Sequence, residues 1–268
     1  IGIRYGNFYR FRSTATVQVG NPMNVGEFIA GNSEKTPQEL MNLMRSSLDE
    51  RMKENILFIP NDNEYDAKNE ICAAVSGEQL KKHTPDGTEP LVAVNKEAAR
   101  RIESLKEEKP EVAQRLISLG KEASQMRRRM QISLGSVAKQ PTLLSQTFRL
   151  LLLLVTLPYT LIATVLTLPL AAVSTMLTKK FKDLAFHNSV RFVLLLVLWP
   201  LLMIIYAIIA FVSMPIQWAL CAILAIFPSP AVAQDTYRAV RMMVSDFKLW
   251  RCKPLKAKYD EIRNIFFN

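Results

Sequence analysis

Two histidines and three cysteines in 268 residues leave this chain little to do catalysis with. Cys72, Cys221 and Cys252 lie far apart, with neither the spacing of a metal site nor the density of a disulfide framework. His83 sits in KKHTPDGTEP, a turn-like stretch, and reads as a solvated loop residue. His187 sits in DLAFHNSVRF, where the acid at helical spacing is Asp183, four residues earlier; it reads as interfacial. The Gly-x-Ser-x-Gly elbow, the Gly-x-x-x-x-Gly-Lys phosphate loop and the His-Glu-x-x-His helix are all missing. Asp62, Glu64, Asp66 and Glu70 cluster, but without the glycine and terminal glutamate of a calcium loop, and read as a solvated acidic face. The first residues lack the charged start, apolar centre and cleavage site of a signal peptide, and no internal repeat occurs. On its own residues the chain has no catalytic constellation, no metal site and no expected cofactor.

Charge is also missing from two long stretches. None occurs from Leu150 to Thr178, 29 residues, or from Phe192 to Gln234, 43 residues. A bilayer core takes roughly 20 apolar residues per helical span. The first stretch is long for one span and short for two; the second holds two. Pro158 and Pro169 are placed to break the first into a shallow hairpin, and Pro215, near the middle of the second, to form the tip of another. The net charge is +10, and much of it flanks these stretches: Arg127–Arg129 and Arg149 before, Lys179, Lys180, Lys182 and Arg191 between, and the Arg and Lys residues of 238–258 after. That placement fits an anionic lipid surface, expected on the cytoplasmic side. It does not fit nucleic acid, since no aromatic-basic motif of an RNA-binding module is present.

The polar parts of the chain read as mixed. Residues 14–19 alternate, with Ala15, Val17 and Val19 on one face, which predicts a half-buried strand ended by Gly20-Asn21-Pro22. Thr36-Pro37-Gln38-Glu39 predicts a capping box and a helix to about Asn55. Residues 56–60, ILFIP, are a strand candidate, and 61–70 a polar, acidic connection. Residues 95–109 read as a charged helix capped by Asn95. From Pro110 a second helix carries Val112, Leu116, Leu119, Ala123, Met126 and Met130 as a stripe, to be packed on protein or laid on lipid.

The stretch IGIRYGNFYRFRSTATVQVGNP, residues 1–22, carries a resemblance. It is similar to the segment after the fourth conserved block of the glycerol-3-phosphate and lysophosphatidate acyltransferases, where Phe-Arg-Ser-x-Ala-x-Val-x-x-Gly-x-Pro follows an aromatic loop. Phe11-Arg12-Ser13-Thr14-Ala15-Thr16-Val17-Gln18-Val19-Gly20-Asn21-Pro22 matches that order. Close likeness covers about 25 residues; the Pro37–Asn55 helix and EKPEVAQRL show a looser likeness to long bacterial and fungal relatives with added membrane segments. The resemblance implies an acyl-CoA or acyl-ACP donor, a glycerol phosphate acceptor, and a phosphate-facing role for Arg10 and Arg12. It also implies a His-x-x-x-x-Asp motif that deprotonates the acceptor hydroxyl. Neither histidine here has an aspartate five residues on, and Asp86-Gly87-Thr88-Glu89 only echoes the family's phosphate block. The chain therefore reads as the second half of something larger.

The expected fold class is an α+β remnant of an acyltransferase α/β domain (1–92) with an amphipathic helical region (93–140), followed by an α-helical membrane domain (141–234) of two hairpins or three spans and a basic juxtamembrane tail (235–268). The expected function is part of a membrane-bound acyltransferase, with membrane lipids as partners. The alternative is a non-enzymatic membrane scaffold or transporter component.

Overall fold

The computed structural model describes residues 1–5, 13–60, 62–82 and 90–268. The chain forms two compact units. One gathers Ile1–Tyr5, Ala15–Gln140 and Ser245–Asn268; the other is built chiefly from Pro141–Val244. Most of the described chain is helical, with one small sheet.

The first unit opens on a hairpin. Strand β1 (Gly2–Tyr5) pairs antiparallel with β2 (Ala15–Gln18), placing Ile3 opposite Val17 and Tyr5 opposite Ala15. The alternation over 14–19 thus yields a strand, but its apolar face is not the covered one: Ile3, Tyr5, Val17 and Val19 are all exposed. Helix α1 (Val25–Ala30) is capped by Asn24, whose side chain accepts from the Gly26 and Glu27 N–H groups. Helix α2 (Pro37–Glu54) starts with the expected capping box: the Glu39 N–H donates to Thr36 Oγ1, and Glu39 accepts from the Thr36 N–H at 2.9 Å. The ILFIP stretch is not a strand. Asn55, just before it, packs closely on β1: a Cβ on Gly2 would fall 2.1 Å from the Asn55 carbonyl oxygen.

The core lies in a helical bundle, and its centre corrects the reading of 61–70 as a connection. Helix α3 spans Tyr65–Lys82. Ile71, Cys72, Ala73, Ala74, Val75 and Ser76 are consecutive and all buried, so α3 is covered on every side. Around it stand α4 (Pro90–Glu108), α5 (Pro110–Arg129), α6 (Leu134–Lys139) and α11 (Lys253–Phe267). Helix α4 starts five residues before the expected cap, because Val92 and Val94 are core residues; Asn95 lies inside it. The middle of the α5 stripe packs on protein: Leu116, Leu119 and Ala123 are buried with Ala113 beside Ile71 and Ile102, while Val112 and Met130 at its ends are exposed. Small residues permit the close approach. A Cβ on Gly120 would lie 2.9 Å from the Ala67 carbonyl oxygen, and one on Gly77 2.3 Å from that of Ala138. The last helix completes the core with Leu255, Tyr259, Ile262 and Phe266.

The second unit holds α7 (Leu143–Thr178), α8 (Leu184–Ser213), α9 (Ile216–Ile226) and most of α10 (Ser229–Arg251). Helix α7 runs unbroken through Pro158 and Pro169, so the expected hairpin within 150–178 is not formed. Proline removes one backbone bond and bends a helix, but in an apolar run with no stop signal the helix continues past it. The chain does turn back at Met214-Pro215: Trp199 Nε1 of α8 donates to the carbonyl of Phe227, just past α9, at 3.2 Å. Helix α10 then departs from α9 at 41°. Two helices, Leu143–Thr178 and Phe186–Ser213, are long and apolar enough to cross a membrane.

Candidate functional site

The residues assigned to phosphate by resemblance, Arg10 and Arg12, lie outside the described residues, as do His83 and Asp86-Gly87-Thr88-Glu89. The described flanks are β1 and β2, which leave an uncovered apolar surface. Since Ile3 stands opposite Val17 and Tyr5 opposite Ala15, these side chains share one face, and Ile1 (69% exposed) and Val19 (74%) extend it. Helix α2 has an open apolar side of its own. It buries no residue, and Met41, Met44, Leu48 and Met52 line an open groove of about 650 Å³ with Arg45 and Asp49. A two-stranded hairpin has little stability in water without further strands or a packed helix. Among the described residues of 1–58, the apolar faces of the hairpin and of α2 are thus left exposed.

The acidic cluster is the solvated face expected of it at Asp62 and Asp66, which are exposed, but not at Glu70. Glu70 is 1% exposed. Its two carboxylate oxygens accept from Arg127 Nε at 2.8 and 2.9 Å, and Oε1 also accepts from the Tyr259 hydroxyl at 2.5 Å. Arg127 Nη1 donates on to the Ile132 carbonyl at 3.0 Å. Burial and the neighbouring Glu70 carboxylate both push the Tyr259 phenol far above its ordinary range. Lys68, also buried, meets Glu103 at 2.9 Å, Glu64 at 3.2 Å and Asp62 at 3.3 Å, while Lys106 bonds Glu64. Burial alone would push the Lys68 amine down; hydrogen bonds with Glu103, Glu64 and Asp62 outweigh it and hold the amine above its usual range. Asp66 pairs with Arg128 at 2.5 Å.

These groups tie α3 to α4, α5 and α11, and each charge has its partner, which marks them as structural. Among the described residues no three His, Cys, Asp or Glu side chains are grouped to hold a metal ion. Sequence reasoning missed the Glu70–Arg127–Tyr259 triad. Its one local trace is Glu70 standing directly before the apolar run 71–75.

In the second unit, His187 Nε2 lies 3.0 Å from the Phe181 carbonyl oxygen, and the Phe181 and Phe186 rings stack at 6.4 Å, between Lys179, Lys180, Lys182 and Arg191. This is an aromatic and basic turn suited to a lipid headgroup layer.

Comparison of the chain with protein-family models, with curated proteins and with solved structures found no match.

Proposed function

We propose that this chain is part of a membrane-bound acyltransferase, which moves a fatty acyl group from a CoA or acyl-carrier-protein thioester to glycerol-3-phosphate or lysophosphatidate. The observation that carries the reading is the ordered match over Phe11–Pro22. Its strand, β2, belongs to a hairpin whose apolar face is uncovered, as the segment of an α/β sheet completed by further strands would be. The apolar helices add support, since a lysophosphatidate acceptor and a phospholipid product reside in a bilayer. In such a reaction a His-Asp pair takes the acceptor's hydroxyl proton, the oxygen attacks the thioester carbonyl, and the thiolate leaves and is protonated. No described residue of this chain supplies that pair. The proposed share of these residues is phosphate contact by Arg10 and Arg12, because the planar guanidinium donates two parallel hydrogen bonds to phosphate oxygens. The soluble unit is proposed to face the cytoplasm, where the basic flanks meet anionic lipid.

The test is acyl transfer by the complete open reading frame that contains these residues, with both acceptors. Turnover that falls when Arg12 is changed to Gln supports the reading. A contact of this kind is worth about 1.5–3 kcal/mol, so kcat/KM for the phosphorylated acceptor should fall roughly 10- to 150-fold. Absence of turnover with either acceptor refutes it.

A further inference from the structure

The part of α10 that belongs to the helical bundle, from Ser245 on, has two opposite faces. Ser245 and Leu249 are buried, as is Cys252 just past the helix end, and Leu249 and Cys252 join the bundle's core with Leu255 and Tyr259. At about 100° per residue, Phe247, Trp250 and Arg251 fall on the other face. Phe247 is 53% exposed and Trp250 56%, with their ring centroids 6.1 Å apart. The Arg251 guanidinium lies 5.8 Å from the centre of the Phe247 ring. Single exposed apolar residues are ordinary on a protein surface. Two large aromatic side chains standing together beside an arginine have the composition of an interface.

The charge around this pair selects the partner. Residues 247–258 hold five cations, Lys248, Arg251, Lys253, Lys256 and Lys258, and no acid. Asp246, next in the chain, is buried. Two of the cations are engaged within the bundle: Lys258 bonds Glu122, and Lys248 Nζ donates to the Met130 carbonyl at 3.3 Å. Arg251, Lys253 and Lys256 are exposed, and no described acid pairs with them. An anionic bilayer offers both things this patch lacks: phosphates for the free cations and an interfacial layer that takes up Trp and Phe rings. The chain also keeps the patch within reach of one. Helix α10 runs from Ser229 to Arg251, and the charge-free stretch ends at Gln234. From Gln234 to Phe247 is about 20 Å of helix at 1.5 Å per residue, whatever direction the helix takes.

We propose that Phe247 and Trp250 enter the headgroup layer of an anionic membrane, with Arg251, Lys253 and Lys256 on its phosphates, so that the helical bundle docks on the lipid surface by this corner. This rests on the membrane reading of the apolar helices, not on the acyltransferase reading. Basic residues flanking a membrane segment need no aromatic pair among them; a surface that inserts does. Each cation at an anionic lipid surface is worth roughly a fivefold change in occupancy, so loss of all three free cations lowers it about 100-fold. Screening by about 1 M salt acts in the same direction.

The test is Trp250 fluorescence in the full chain, reconstituted into vesicles whose two leaflets both carry a phospholipid brominated near the headgroup end of its acyl chains. The chain has three tryptophans, and the emission that Trp250→Phe removes isolates Trp250 while leaving Trp199 on its bond to Phe227. In mixed phosphatidylcholine and phosphatidylglycerol vesicles, the bromolipid should quench that emission about twofold or more. In phosphatidylcholine alone, and for Arg251→Gln/Lys253→Gln/Lys256→Gln in the mixed vesicles, it should leave the emission nearly unchanged. Equal quenching in the two lipid compositions overturns the docking on anionic headgroups. An unquenched Trp250 in a chain that stays in the vesicles through alkaline carbonate overturns the docking and leaves the membrane reading intact. Shielding of Trp250 that rises with the protein-to-lipid ratio assigns the patch to a second copy of the chain, which also overturns it. Release of the chain by alkaline carbonate overturns both the docking and the membrane reading.

Discussion

Changing Arg127 to Met should open the helical bundle, and Cys72 can report it. Met roughly keeps the apolar volume of the arginine stem and removes both bonds to Glu70 and the one to Ile132. Glu70, 1% exposed, then keeps only the Tyr259 hydroxyl. Breaking a buried pair from one side costs about 3–5 kcal/mol. Arg127 is itself 12% exposed, so the low end applies, about 3 kcal/mol. Cys72 is buried and its thiol is pushed up to about 12 by that burial, so near pH 8 it reacts only from opened molecules. With Cys221 and Cys252 replaced by Ser, the labelling rate of the full chain in detergent follows the opening constant. A loss of about 3 kcal/mol raises it roughly 150-fold. The double variant Glu70→Met/Arg127→Met removes both charges and should label much closer to the parent rate. If Arg127→Met labels within about fivefold of the parent, the ion pair is not what closes the core. If the double variant labels as fast as the single one, lost packing explains the effect instead.

Tyr259→Phe removes one donor to a buried carboxylate and should speed Cys72 labelling by about 10- to 150-fold, a cost of about 1.5–3 kcal/mol; an unchanged rate would count against the bond from α11. Gly77→Ala places a methyl group where the Ala138 carbonyl stands and should cost about 1–3 kcal/mol by forcing α3 and α6 apart, read as a lower thermal midpoint. Acid should also loosen the bundle. The Glu64 N–H holds the Asp62 carboxyl below its ordinary range, and Lys106 does the same for Glu64, so their contribution is present above about pH 4 and lost as pH falls through the lowered values. Lys68 is shifted upward, so its contribution is present below about pH 10 and lost as pH rises through the raised value. Circular-dichroism melts should therefore show a plateau from about pH 5 to 9 and a lower midpoint at pH 3; equal midpoints at pH 7 and 3 would contradict this.

What was legible in the sequence was whatever is determined locally. The capping box at Thr36–Glu39, the helix start at Pro110 and the break at Pro215 each depend on a few neighbouring residues, and each stands where its residues put it. Helix α3 was illegible for a converse reason. A helix covered on all sides has no polar face, so the period that marks amphipathic helices is missing, and its acidic first turn looks like a loop. The unbroken α7 shows a third limit. Proline ends helices where water can take up the freed backbone groups, and an apolar run removes that alternative.

The half-buried strand was half right, and the error is the informative part. Alternation predicts that one face of 14–19 is apolar, and it is. What alternation cannot say is whether anything within the same chain covers that face. Here nothing among the described residues does, on the hairpin or on α2. Contrast α5, whose Ala113, Leu116, Leu119 and Ala123 are covered by α3, α4 and α11. The two cases separate an apolar pattern that the described chain covers from one that it leaves open. The strand within the resembling stretch, β2, is of the second kind. The proposed acyltransferase therefore depends on an α/β layer that would cover Ile3, Tyr5, Val17 and Val19, and those four side chains are where its presence is to be sought.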